Sequence, residues 1–381
     1  MVLYDLGPGD EDVALKDIIA SRIRREGPLT FSDFMALALY EPGHGYYVNC
    51  DPARDYQTSP NVHPVFGACV ARQLGEMWRI LGRPDRFDVL EAGAGDGRLA
   101  LDIAAWLRAH DQDAFAALSL RLQDVTYGAR PPAHARELSA LLGGRVSFGE
   151  QIAGRLTGCI LSNELLDAFP VRRVRVERGR LLELRVGWDE AGFVDVPWEP
   201  SPEVECYFQE LGMLPGEGCE AEANLEAPAW MQRAAAVLDR GYVLTLDYGY
   251  EAASLYAPWR KRGTLLTFYR HTAGEDPYVR VGRQDITASV DLTTVARAGE
   301  EAGLRTLGLT AQSEFLSALG IGEALAQRPD PSQLEAYYAL RRAAVELTDP
   351  TGLGRIKVLV QGKDVPDTPL TGLSGREAGR A

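Results

Sequence analysis

Seven residues, Glu91–Gly97 (EAGAGDG), limit what this chain can fold into more than any other stretch. Three glycines fall within five positions, directly after the short apolar run FDVLEA and directly before RLALDIAAWLRAH, whose apolar residues recur at helical spacing. A strand, a glycine turn and a helix in that order belong at the carboxyl edge of a parallel sheet, where a helix N-terminus can face a ligand. The following residues keep the rhythm. LSLRLQDV reads as a strand, ARELSALL as a helix, and RVSFG and TGCILSN as strands. The spacing predicts an α/β fold with a doubly wound parallel sheet from Phe87 onward.

The turn also selects among ligands. A dinucleotide fingerprint needs glycine at its first, third and sixth positions. Here Gly93, Ala94, Gly95, Asp96 and Gly97 are followed by Arg98, so the sixth position fails. A phosphate-binding P-loop fails too, for lack of a GK[ST] ending. What stands is acid-x-Gly-x-Gly-x-Gly, the pattern of class I methyltransferases that bind S-adenosylmethionine and release S-adenosyl-homocysteine. The chemistry suits that ligand. Glycines let the backbone approach closely at φ > 0, and the helix N-terminus favours a carboxylate. No pyrophosphate calls for the sixth glycine. The expected cofactor residues are Glu91 for the ammonium, Gly93, Ala94, Gly95 and Gly97 in the turn, and Asp124, ending LQDVT, for the ribose hydroxyls.

Composition narrows the function further. Lys and Arg number 40 against 54 Asp and Glu, a net charge of −14. That balance argues against a general nucleic-acid binder, which would carry a basic footprint. Five cysteines without a CxxC pair and five histidines without HExxH spacing give no reason to expect a metal. They suggest a reduced, cytoplasmic chain. The opening MVLYDLGPGDEDVALK lacks the apolar core of a secretory leader. No apolar run approaches the roughly 18 residues that span a bilayer.

Around the sheet the pattern changes. Residues 1–85 read as a helical segment with one long loop, EPGHGYYVNCDPARDYQTSPNVHP, and with Thr30 and Asp33 as a helix-capping pair. The sheet domain is expected over residues 86–363. Arg173–Val196 has period-two stretches separated by the turns ERGR and DEAG, so antiparallel hairpins are inserted there. Insertions are expected at about 171–226 and 251–290. Residues 364–381, rich in Gly, Pro and Thr, read as a disordered tail.

At the end of the fourth core strand stands CILSNELLDAFPVRRV, with Asn163, Glu164 and Asp167 among apolar neighbours. In such a sheet ligands sit beyond the carboxyl ends of the strands. Asp247 and Tyr248 end the fifth core strand and are expected to line the acceptor side. His271, in FYRH, is a further candidate there.

NELLDAFPV resembles the ANE-x-x-DA-x-PV motif of the MidA-like methyltransferase family. GPLTFSDFMALALYEPGHGYY resembles that family's opening, and TSPNVHPVFG resembles its TSPE-x-x-x-x-FG loop. LDYGY, GTLLTFYRH and DITASVDL follow in the family's order, so the resemblance covers roughly residues 26–362. It implies a Rossmann-like class I methyltransferase sheet with an N-terminal helical extension and inserted antiparallel hairpins. It also implies methylation of a protein side chain, arginine in the family's mitochondrial member. Tyr46, Tyr47, Thr58 and Ser59 then belong to a loop that covers the cofactor, with Thr58 and Ser59 on the cofactor and Tyr46 and Tyr47 toward the substrate. If the acceptor is a guanidinium, carboxylates must orient it. Glu164 and Asp167 are the expected catalytic pair, sharing a face if the segment turns helically. Asn163 would hold the acceptor nitrogen or the adenine side of the cofactor. Expected partners are a protein substrate and a second copy of the chain, with no nucleic acid and no membrane. Two rival readings are a small-molecule methyltransferase and an S-adenosylmethionine-binding assembly factor with little turnover. This chain departs from the family at Asn61 and Ala68, where Glu is usual, and at Asp96, where Arg is common.

Overall fold

A computed structural model describes residues 12–50, 55–128, 130–151, 154–323 and 331–374. The chain divides into two compact units. The first comprises Met1–Gln57, Asp167–Ala227 and Tyr250–Asp291, and the second Thr58–Leu166, Pro228–Gly249 and Leu292–Ala381.

Among the described residues, the second unit is built on a seven-stranded sheet. Its strands are β1 (Phe87–Ala92), β2 (Leu118–Gln123), β3 (Val146–Gly149), β4 (Leu156–Asn163), β5 (Leu238–Asp247), β6 (Arg305–Ala311) and β7 (Lys357–Lys363). Their order across the sheet is β3-β2-β1-β4-β5-β7-β6. Strands β1 to β5 pair in parallel, while β7 runs antiparallel to both β5 and β6. Every residue of β1 is buried, as is nearly all of β5, because a parallel sheet has helices on both faces. The chain leaves β1 toward β2 and β3, then returns to lay β4 on β1's other side. That reversal opens a crevice at the carboxyl ends of β1 and β4. EAGAGDG and NELLDAFPV begin at those two ends.

Sequence pattern missed β6, a short edge strand. The run RTLGLTA alternates weakly, and a register irregularity near Gly308 breaks its pairing with β7. The expected tail also differs. Leu370 is buried, Thr371 donates to Glu76 through its amide and hydroxyl, and the Gly372 amide donates to Gln73 Oε1 at 3.0 Å. Pro- and Gly-rich composition hid these anchors. Residues 375–381 lie outside the described residues.

The first unit holds the amino-terminal helices Val13–Glu26 and Phe31–Tyr40. Thr30 caps the second, its Oγ1 accepting from the Asp33 amide at 3.1 Å. The expected hairpins form Arg172–Glu177, Arg180–Asp189 and Gly192–Trp198, in an antiparallel sheet with Leu29–Thr30 and Glu220–Ala223. At the first turn Arg178 and Gly179 have φ of 52° and 72°, the left-handed pair of a type I′ hairpin. The insertion expected at about 251–290 contains a further small sheet of Leu266–Tyr269, Thr272–Gly274 and Asp285–Thr287. Phe31, Phe34, Leu39, Tyr46, Val186 and Ile286 pack in this unit's core.

Candidate active site

The glycine turn is fixed from β2. The amides of Gly93 and Ala94 both donate to the Gln123 carbonyl, at 2.8 and 3.0 Å. Gly93, Gly95 and Gly97 all have positive φ, of 69°, 51° and 82°. A Cβ on Gly93 would stand 2.8 Å from Leu165 Cδ1, in the NELLDAFPV segment, whereas one on Gly95 would meet nothing within 4 Å. The turn is therefore packed at its first glycine and open at its second. Asp96 precedes Gly97, the N-cap of the helix Arg98–His110, and its Oδ1 accepts from the Arg98 amide at 2.9 Å. That bond gives the acid at this position a structural role.

Glu91 is 5% exposed, and its Oε2 has no hydrogen-bond partner. Burial pushes its carboxyl up to about 8, the Asp96 charge adds to the shift, and a hydrogen bond from the Ala100 amide opposes it. Such a carboxyl lacks a cation. Asp124 Oδ2 accepts from the Gly95 amide at 3.0 Å, while its Oδ1 accepts from the Thr126 amide and hydroxyl. Asp124 therefore braces the open part of the turn. Asn163 Oδ1, at the end of β4, is buried without a partner. An orphaned acidic oxygen, an open glycine and an orphaned amide oxygen fit a ligand that carries an ammonium group and a polar ring, as S-adenosylmethionine does.

Asn163 Nδ2 donates to Glu164 Oε1 at 3.0 Å, and so does the Ser59 amide. Ser59 Oγ is 3.1 Å from Gln312 Oε1, to which it donates. Thr58 precedes the short helix Ser59–Val62 and makes no side-chain cap. Burial pushes the Glu164 carboxyl up to about 7 against those two hydrogen bonds. Asp247 is fully buried, and its Oδ2 accepts from the Leu165 and Leu166 amides at 3.1 and 2.7 Å. It holds the strand-to-turn connection, which explains an acid where an apolar residue would otherwise end β5. The Tyr248 ring lies under the Arg355 guanidinium at 5.3 Å.

The helical turn assumed for Glu164 and Asp167 does not form. Glu164 has φ 51°, and a tight 3₁₀ turn begins only at Leu166. Asp167 belongs to the first unit, with Tyr46 and Tyr47. There the buried Tyr46 hydroxyl donates to Asp55 Oδ2 at 2.8 Å, and the hydroxyls of Tyr47 and Tyr56 lie 3.4 Å apart. Asp167 and Asp285 both raise the Tyr56 hydroxyl's pKa, after burial. His271 is exposed, and its backbone amide donates to the Asp55 carbonyl. Sequence reading missed Asp55, Tyr56, Asp285 and Gln312. Asp285 opens the segment DITASVDL, but nothing in the residue pattern gave it or the other three a role, and Asp285 and Gln312 lie far along the chain from Tyr56 and Ser59.

The strand order, with its one reversed strand, and the glycine turn at the crevice together define a class I S-adenosylmethionine-dependent methyltransferase. Residues 69–310 match the model of an S-adenosyl-L-methionine-dependent methyltransferase family. A crystal structure of a Burkholderia thailandensis protein aligns over 98% of both chains with TM-score 0.85 and 31% identity. Another from that organism, bound to S-adenosyl-homocysteine, aligns over 97% of both chains with the same score and identity. The mitochondrial protein arginine methyltransferase NDUFAF7 homolog of Drosophila melanogaster is 28% identical over 90% of this chain and 83% of its own length. Human NDUFAF7, also named as mitochondrial, is 25% identical over 79% of this chain and 72% of its own. The chain belongs to the MidA-like family of S-adenosylmethionine-dependent methyltransferases, with S-adenosylmethionine as its cofactor.

The expected cytoplasmic location is overturned, since these curated relatives are named as mitochondrial. Unpaired thiols report a reducing environment and do not distinguish one reducing compartment from another. Among the described residues no helix is long and apolar enough to cross a membrane.

Proposed function

We propose that the protein methylates arginine side chains of a protein substrate. The observation that carries this reading is the gathering of Asp55, Asp167 and Asp285 among the tyrosines of the first unit. All three carboxyls are buried, which favours a cationic acceptor over a neutral one. The names of the curated relatives, protein arginine methyltransferases, support the same acceptor.

S-adenosylmethionine supplies a methyl group activated on a sulfonium. Glu91 takes the ammonium of the cofactor, the glycine turn its carboxylate, and Asp124 its ribose. Ala94 shapes the turn, while Thr58 and Ser59 fix the loop beside it. Asn163, with its unpartnered Oδ1, orients the adenine side or the acceptor nitrogen. Glu164 holds Ser59 and Asn163 in place, and Asp167 orients the acceptor and takes up positive charge. Tyr46, Tyr47, Asp247, Tyr248 and His271 remain assigned to the acceptor side.

The test is to incubate the protein with tritiated-methyl S-adenosylmethionine and a cell extract, then hydrolyse the labelled protein. Methylarginine in the hydrolysate is the expected result. Label confined to small molecules, or to another amino acid, overturns the reading.

A further inference from the structure

Asp285 opens the short strand Asp285–Thr287 and is fully buried. Its Oδ1 accepts from the Ile286 amide at 2.9 Å, and its Oδ2 is buried with no hydrogen-bond partner. Burial and the like charge of Asp55 push the carboxyl up to about 6, opposed by the hydroxyls of Tyr47 and Tyr56. Oδ2 is thus left with only the neighbouring hydroxyls of Tyr47 and Tyr56, which are neutral donors. Leaving a carboxylate in that condition is costly unless a cation completes it.

Tyrosine rings gather around this carboxylate. Tyr47 stacks on Tyr40 with centroids 5.4 Å apart and planes 20° apart, and meets Tyr46 edge-on at 5.2 Å. Tyr56 tilts against Phe268 at 5.6 Å. Tyr47 and Tyr56 are only half-buried as residues. A carboxylate among tyrosine rings suits a planar, weakly hydrated guanidinium better than a compact, strongly hydrated ammonium.

We propose that Asp285, Tyr47 and Tyr56 form the seat for the guanidinium of the acceptor, with Asp285 as its carboxylate partner. The inference rests on the arginine reading above. It assigns the acceptor's charge to the first residue of DITASVDL, a segment to which the sequence pattern alone gave no role.

The experiment uses the full chain saturated with S-adenosyl-homocysteine. N-acetyl-L-arginine methylamide is titrated in by calorimetry, with the lysine analogue alongside. The arginine analogue should bind the wild type, and Asp285→Asn should weaken it at least tenfold. Tyr56→Leu should weaken it severalfold. S-adenosyl-homocysteine affinity in each variant should stay within twofold, which shows that the fold is intact. If Asp285→Asn fails to fold, Tyr56→Leu carries the test. Unchanged affinity in a folded variant, equal binding of the lysine analogue, or no binding to the wild type overturns the seat. The two proposals fail separately. Methylarginine formed equally well by Asp285→Asn would sink the seat and keep the arginine reading. Label in another amino acid, with arginine-analogue binding that depends on Asp285, would do the reverse.

Discussion

The backbone amide of Ser59 donates to Glu164 Oε1 at 3.0 Å, joining residues 105 positions apart. The same oxygen accepts from Asn163 Nδ2, while Ser59 Oγ donates to Gln312. Glu164 thus ties the loop TSPNVHP to the end of β4, from a left-handed backbone that non-glycine residues rarely adopt. A strained residue held by long-range hydrogen bonds is a common mark of a functional site.

Glu164→Ala should lower stability by about 1–3 kcal/mol, because the buried Ser59 amide loses its acceptor. Glu164→Gln keeps a carbonyl oxygen for that amide and should stay within about 1 kcal/mol of wild type. Urea denaturation of the two variants measures this. If both are equally destabilised, the carboxylate's charge matters more than its hydrogen bonds. Turnover in the stable Gln variant then reports what the charge contributes to the reaction.

The two open-turn glycines should respond differently to substitution. Gly93→Ala drives a Cβ to 2.8 Å from Leu165 Cδ1 at φ 69°, so stability and cofactor binding should both fall. Gly95→Ala meets empty space at φ 51° and should lose only about 1 kcal/mol of stability from backbone strain. Its new methyl group nevertheless enters the open part of the turn, so cofactor affinity should drop tenfold or more. Thermal melts and calorimetry with S-adenosyl-homocysteine separate the two effects. Wild-type affinity in Gly95→Ala would show that the ligand does not approach this glycine.

What could be read from sequence was local. The strand, turn and helix around EAGAGDG occupy consecutive residues, and each follows from residue type and spacing. The Arg178–Gly179 hairpin is equally local. Asp285 was not legible, because its significance comes from tyrosines at positions 47 and 56, which only folding brings near. Glu164 was legible as a candidate, but its tie to Ser59 was not. Its partner Ser59 lies in a different motif, and the left-handed backbone at Glu164 interrupts the helical turn that i,i+3 spacing suggested. Strand β6 was lost because an edge strand with small and polar residues carries little hydrophobic pattern.

Arg173 anchors the inserted hairpins. It is 8% exposed, and its guanidinium pairs with Asp195 at 2.6 Å and with Glu220 at 3.1 Å while lying over the Phe31 ring at 5.1 Å. The Tyr278 hydroxyl also bonds Asp195. Arg173→Ala takes one cation from two partly buried carboxylates, which keep the Tyr278 hydroxyl and the Arg175 guanidinium, and removes the guanidinium that lies over Phe31. The expected loss is about 1–3 kcal/mol. Hydrogen exchange should show Arg172–Glu177 and Arg180–Asp189 losing protection first. Protection equal to wild type there would mean that the apolar packing of the hairpins suffices without the ion pairs.

Glu91 makes both stability and cofactor affinity depend on pH, in opposite directions. Its folded-state pKa of about 8 stands above the ordinary 4.5, so between those values the folded chain keeps a proton that the unfolded chain has lost. Its contribution to stability is therefore complete below about pH 4.5 and declines as pH rises toward 8, by at most about 1.4 kcal/mol per pH unit. A cationic ligand needs the ionised form. Affinity for S-adenosyl-homocysteine, which carries the same ammonium, should rise by up to about tenfold per unit from pH 6 toward 8. Above that it should level off, because Glu91 is then ionised. The charges of Asp96 and Asp124 also raise the Glu91 carboxyl. Glu91→Gln should flatten both profiles, with weak binding at every pH. Calorimetry at pH 6, 7 and 8, paired with urea denaturation at the same values, tests both slopes. A variant that keeps the wild-type affinity profile would remove Glu91 from the cofactor site.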